Sequence, residues 1–109
     1  MNVLSLFDGI STGRLALYKA GIKISNYFSS EIDKNAIKIS KANWKDITYL
    51  GDVNKINVDE LPTIDLLIGG SPCQGFSRAG LGMNFEDPRS KLFFKFIEIL
   101  NLLREKIPK

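Results

Sequence analysis

The chain contains no histidine and a single cysteine, Cys73. One thiol cannot close an internal disulfide, and without histidine or a second cysteine the usual zinc ligand sets cannot be completed, so no metal is expected. No apolar run approaches the length of a membrane span, and the N-terminus lacks the order of a secretory signal. A reducing, cytoplasmic setting without a membrane partner is therefore expected. Repeats and low-complexity segments are missing too. Charge of one sign is scarce: 15 Lys+Arg against 12 Asp+Glu leave +3, too little to require a nucleic-acid partner. The basic excess sits in residues 89–109, where six basic side chains accompany two acidic ones. Such a face suits phosphates, or simply solvates a helix.

What is present fits one small globular domain: 109 residues, 44% hydrophobic and 25% charged. "NVLSLF" (2–7) reads as a strand running into the glycine turn "DGISTG", with Thr12 as the cap of a following helix that carries Leu15, Tyr18 and Ile22 and stops at Gly21. "KISNYFSSE" (23–31) alternates as a second strand, with Ile24, Asn26 and Phe28 on one face. Asp33 caps a helix whose Ala36, Ile37, Ser40 and Trp44 line one side. "DITYLGDV" gives a third strand, a weak helix or loop follows through Pro62, and "IDLLIGG" a fourth, expected to be buried on both faces. Residues 74–88 read as a mobile loop. A last helix, 89–105, is expected to bury Leu92, Phe93, Phe96, Ile97, Leu100 and Leu103. Alternation of this kind implies an α/β fold, a partial open parallel sheet of about four strands with flanking helices, and ligands outside the carboxyl ends of its strands.

Every expected strand ends in a chemically suggestive group: Phe7-Asp8-Gly9, Glu31, Asp52, and Gly70 to Cys73. A glycine turn followed by an acid after the next strand is the logic of a nucleoside site, where the acid accepts from ribose hydroxyls. The G-x-G-x-x-G fingerprint is missing, and Asp8 in the turn would repel a pyrophosphate. A nucleoside with positive charge fits better, and S-adenosylmethionine has a sulfonium and an ammonium that Asp8 could balance. Each residue also has a plainer role open to it: Phe7 as core, Asp8 at a helix start, Glu31 or Asp52 as a cap. Cys73 is either an inert buried thiol or a nucleophile on the ligand edge, beside the basic Arg78.

"LFDGISTGRLAL", Glu31, "GDV", "GGSPCQGFS" and "FEDPRSKLFFKF" together resemble the first five motifs of the DNA cytosine-5 methyltransferases. "FDGISTG" is similar to the mammalian de novo branch, while Gln74 and the loop length resemble bacterial and phage modification enzymes. The resemblance covers essentially the whole chain, read as the N-terminal half of a catalytic domain: cofactor motifs within 3–53, nucleophile motif 69–77, catalytic loop 74–88 and helix 89–105. It implies a Rossmann-like S-adenosylmethionine-dependent methyltransferase fold and a bacterial or phage-host cytoplasm. It also implies that Cys73 adds to C6 of a cytosine flipped out of double-stranded DNA, so that C5 takes the methyl group of S-adenosyl-L-methionine. Phe7, Asp8, Gly9, Ile10 and Thr12 would line that cofactor. Glu31 would hold its ribose and Asp52 with Val53 its adenine, while Gly70 and Leu92 would complete the wall. Gln74, Ser77, Arg78 and Arg89 would lie on the DNA side.

The family's Glu-Asn-Val strand, its target-recognition region and its C-terminal helix have no counterpart in these residues. A fragment or a split-enzyme half, with a complementary C-terminal methyltransferase polypeptide as partner, is one expectation. A catalytically incomplete remnant or a regulatory binding module is another, and a generic nucleotide-binding domain with a structural Cys73 is a third. An incomplete sheet is further expected to leave apolar surface exposed.

Overall fold

A computed structural model describes residues 1–69 and 88–107, and of residues 88–90 and 92 only the backbone. The expected catalytic loop thus lies outside the described residues up to residue 87, with Gly70, Cys73, Gln74, Ser77 and Arg78. The chain divides into two compact units, Met1–Gly70 and Ser71–Lys109.

The first unit alternates strand and helix: β1 (Asn2–Leu6), α1 (Thr12–Lys19), β2 (Asn26–Ser30), α2 (Lys34–Asn43), β3 (Ile47–Tyr49) and β4 (Leu66–Gly69), with two single 3₁₀ turns, Val53–Lys55 and Val58–Glu60, before β4. All pairings are parallel and the order is β3-β2-β1-β4. The chain therefore steps outward from β1 to β3 and then returns to the other side of β1. That reversal makes the carboxyl ends of β1 and β4 the switch point of the sheet, where open α/β sheets bind ligands.

Period-two alternation and this register arrange one face of the sheet in rows. Val3 pairs with Tyr27 and Leu66, and Tyr27 with Ile47. The result is an apolar row, packed by Leu17, Ile24 and Trp44. One step toward the carboxyl edge, Ser5 pairs with Ser29 and Ile68, and Ser29 with Tyr49. This second row carries hydroxyls. The opposite face presents Leu4 and Leu6, both fully buried.

Local signals explain most element ends. Asp33 caps α2 by accepting from the N–H groups of Asn35 and Ala36, as expected, and Gly21 follows α1 at φ 75°. Other expectations are corrected. Helix α1 begins at Thr12 itself, behind Ser11 at φ 69°, so Thr12 is not the cap. Leu15, Tyr18 and Ile22 are exposed, because Leu17 is the α1 residue that packs on the apolar row. In β2 the buried residues are Tyr27, Ser29 and Ser30, while Phe28 is half-buried and Asn26 exposed. Strand β4 is only half-buried, since β1 is its sole partner strand among the described residues.

In the second unit, α3 (Pro88–Glu105) buries Ile99 and Leu103. Ile97, expected inside, is exposed together with Phe94 and Leu102. No described helix is long and apolar enough to cross a membrane.

Candidate functional site

The turn after β1 holds an unusual run of left-handed residues: Phe7 at φ 55°, Gly9 at 60° and Ser11 at 69°. For the two that are not glycine this conformation costs of order 1–2 kcal/mol each. The surrounding contacts hold it. The Asp8 N–H donates to the Ser30 carbonyl at 3.1 Å and the Ser11 N–H to the Asp8 carbonyl at 3.0 Å. Gly9 N–H donates to Glu31 Oε1 at 2.8 Å, and the other Glu31 oxygen accepts from the N–H groups of Ile32 and Asp33, each at 3.0 Å.

Asp8 is the centre of the arrangement. Its Oδ1 accepts from Ser5 at 2.6 Å and Tyr27 at 2.7 Å, and its Oδ2 from Ser11 at 2.5 Å and Ser29 at 2.7 Å. Four donors fill the roughly four lone-pair sites of a carboxylate. The donors come from the hydroxyl row of β1 and β2, from Tyr27 reaching forward out of the apolar row, and from Ser11 before α1. Burial, reinforced by the adjacent Asp8, pushes the Tyr27 phenol well above its ordinary range. It therefore stays a donor at neutral pH.

One-proton accounting extends the network. Ser11 spends its hydroxyl proton on Asp8, so at its 2.6 Å contact with Ser40 it must accept. Ser40 then has no proton left for Tyr49, 2.7 Å away, and Tyr49 donates to Ser40. Every proton in the series Tyr49, Ser40, Ser11 points toward Asp8. Such aligned chains strengthen one another. The network joins β3, α2, the turn before α1, β1 and β2 through one carboxylate.

Beside it, a cleft of about 340 Å³ lies at the β1/β4 switch point, lined by Ser5, Phe7, Asp8, Thr12, Gly13, Ile68 and Gly69. Its volume falls in the lower part of the range usual for small-molecule sites. Gly13 is needed there for close approach, not for a turn: a Cβ at this position would lie 2.6 Å from Ile68 Cδ1 and 3.1 Å from Tyr27 Oη. A second cleft of about 300 Å³ opens on the other side of Thr12, lined by Ile10, Ser11, Leu15, Asn43 and Trp44.

The structure thus gathers Phe7, Asp8, Gly9, Ile10, Thr12 and Glu31 around one turn. Asp52 and Val53 follow β3 on the same edge, tied in by Ser30 Oγ donating to the Gly51 carbonyl at 2.8 Å. Asp52 caps the first 3₁₀ turn through Asn54 N–H at 2.8 Å, and Val53 is buried. Arg89 and Leu92 belong to α3, and their side chains are not among the described ones. Sequence reasoning missed Ser5, Ser11, Tyr27, Ser29, Ser40 and Tyr49. The available signal was serine within short strands that otherwise carry apolar residues, Ser5 in "NVLSL" and Ser29 with Ser30 in "NYFSS".

A family model described as "C-5 cytosine-specific DNA methylase" matches residues 1–109. The type II methyltransferase M1.ScrFI of Lactococcus lactis subsp. cremoris is 46% identical over 98% of this chain and 26% of its own length. The orphan methyltransferase M.SPRI of Bacillus phage SPR is 46% identical over 100% and 25%. Among solved structures, S. pombe Dnmt2 methyltransferase superposes with a TM-score of 0.66 at 26% identity, covering 94% of this chain and 32% of that one. The chain spans about a quarter of the length of these two curated relatives.

Proposed function

The chain belongs to the C-5 cytosine-specific DNA methylase family, and on that premise we propose that it carries the cofactor-binding and nucleophile-bearing part of a DNA cytosine-5 methyltransferase. The observation that most supports this is the cleft at the β1/β4 switch point, built from the same turn that the family motif occupies.

The residues present fit S-adenosyl-L-methionine in part. Glu31 accepts three N–H groups on two oxygens, which leaves acceptor capacity for a ribose hydroxyl. Phe7 and Gly69 offer an apolar side chain and open backbone at the cleft. Asp52 and Val53 would hold the adenine, and Gly9, Ile10, Thr12, Gly70 and Leu92 would complete the wall. Asp8 fits less well as a counter-charge, since its lone pairs are already taken. When bound, S-adenosyl-L-methionine supplies an electrophilic methyl carbon to C5 and departs as a neutral thioether.

The chain's own chemistry rests on Cys73. Its thiolate forms a bond to C6 of a flipped cytosine and so makes C5 nucleophilic. Once C5 is methylated, water takes its proton, the C5–H electron pair re-forms the C5–C6 double bond, and the C6–S bond breaks to return the thiolate. Gln74, Ser77, Arg78 and Arg89 would contact the DNA around that base. A complementary polypeptide carrying the rest of a relative's length would supply the remaining groups.

The test is a duplex containing 5-fluorocytosine, incubated with S-adenosyl-L-methionine and the chain, alone and with such a complement. Fluorine at C5 cannot leave as a proton does, so the adduct accumulates. A covalent complex in the complemented mixture, abolished by Cys73→Ser, is expected. No adduct even with the complement would overturn the nucleophile role. Binding of S-adenosylhomocysteine without any adduct would instead favour a regulatory binding module.

A further inference from the structure

We infer that Asp8 is a positioning residue: its carboxylate gathers the hydroxyls of Ser5, Ser11, Tyr27 and Ser29 to hold the turn 7–11 in its binding conformation, and it does not contact the ligand's ammonium. The inference rests on the cofactor reading above and changes the part Asp8 plays in it.

Three observations carry it. Both oxygens of Asp8 are doubly occupied, by donors 2.5–2.7 Å away. A ligand ammonium would have to displace one of them. Those donors are buried, Ser5 at 3% exposed and Tyr27, Ser11 and Ser29 at 1% each; of the four only Ser5 lines the switch-point cleft, and a displaced Tyr27, Ser11 or Ser29 hydroxyl has no water to turn to. The third observation is conformational. The carboxylate sits between two left-handed residues, Phe7 and Ser11, and one of its oxygens holds the Ser11 side chain directly. Glu31 pins the same turn from the other side through Gly9 N–H. The turn is thereby held at Asp8 and at Gly9, while Glu31, unlike Asp8, keeps acceptor capacity for a ligand.

The two roles separate in ligands that differ only in the amino-acid portion. S-adenosylhomocysteine has the ammonium, and 5′-methylthioadenosine lacks it. A direct counter-charge matters to the first alone. A positioning residue matters equally to both, because a smaller binding-competent population weakens every ligand of that turn by the same factor. Calorimetry on the full chain compares wild type with Asp8→Ala, Asp8→Asn and Ser29→Ala. Amide hydrogen exchange at Gly9, Ile10 and Ser11 is followed in the unliganded proteins.

Asp8→Ala is expected to weaken both ligands by the same factor, about tenfold, with exchange at the three amides faster by a similar factor. Asp8→Asn, which keeps one acceptor oxygen, and Ser29→Ala, which removes one of four donors, show smaller losses in the same fixed ratio. Should Asp8→Ala fail to fold, these two decide. Weakening of S-adenosylhomocysteine alone overturns the inference, as do unchanged affinities and exchange. A wild type that binds neither ligand overturns the cofactor reading and this role with it. Normal wild-type binding with unaffected variants overturns the role alone.

Discussion

Tyr27→Phe removes one oxygen from the hydroxyl network around Asp8 and alters little else. The ring is 1% exposed, and its hydroxyl donates to Asp8 Oδ1 at 2.7 Å. Hydrogen bonds to charged groups contribute about 1.5–3 kcal/mol. Two effects bring the expected loss to the middle of that range. Oδ1 keeps its bond from Ser5, so no acceptor atom is orphaned, while the Tyr27 side of the carboxylate is buried away from bulk water. A loss of about 2 kcal/mol corresponds to roughly 10 °C in Tm for a domain of this size, and to a urea midpoint lower by about 1–2 M at unchanged slope. Trp44, the only tryptophan, reports unfolding by fluorescence. The pH dependence adds a second arm. Burial raises the Tyr27 phenol above its ordinary value of 10.0, so the unfolded chain ionises first. That preference is fully present below pH 10 and is lost as pH rises beyond it, by about 1.4 kcal/mol per pH unit. The advantage of wild type over the variant therefore shrinks above pH 10. A loss below about 0.5 kcal/mol at neutral pH, or a gap unchanged between pH 9 and 11.5, would refute the reasoning.

Gly13→Ala brings a Cβ to 2.6 Å from Ile68 Cδ1 and 3.1 Å from Tyr27 Oη. Overpacking of about 1–3 kcal/mol, less about 0.5–1 from helix propensity, leaves a net loss near 1 kcal/mol. In a double-mutant cycle with Tyr27→Phe the two losses should be less than additive, since both act on the same hydroxyl. Asp33→Ala removes the acceptor for the N–H groups of Asn35 and Ala36 and should lower stability by about 1 kcal/mol in urea unfolding. The Arg14 guanidinium, 2.7 Å from Asp46, holds that carboxyl below its ordinary value of 3.8. Its contribution is present above pH 3.8 and lost as pH falls through the lower folded value. Because Asp46 is 54% exposed, Asp46→Asn should cost less than about 1 kcal/mol at pH 7, and its difference from wild type should vanish in acid.

The order of elements was legible in the amino acids because each carries a local cause. Apolar strands end at glycine and acidic turns, Asp33 caps α2, and Gly21 takes the left-handed position after α1. With that order came the parallel sheet, and with the sheet the edge where Phe7, Glu31 and Asp52 assemble. The quoted motifs carried the family. What pattern alone could not supply was register. Whether Ser29 lies between Ser5 and Tyr49 depends on how three strands distant in sequence align, and a shift of one residue would send each hydroxyl to the other face. The same holds for Asp8: a lone acid in a glycine turn reads as a charge awaiting a ligand. The fold turns it into the acceptor of four buried hydroxyls, because pairing β1 with β2 and laying α1 and α2 over them brings donors from residues 5, 11, 27 and 29 to one point. Composition and spacing determined the scaffold and its working edge; only long-range packing decided which carboxylate on that edge, Glu31 or Asp8, still has lone pairs to offer.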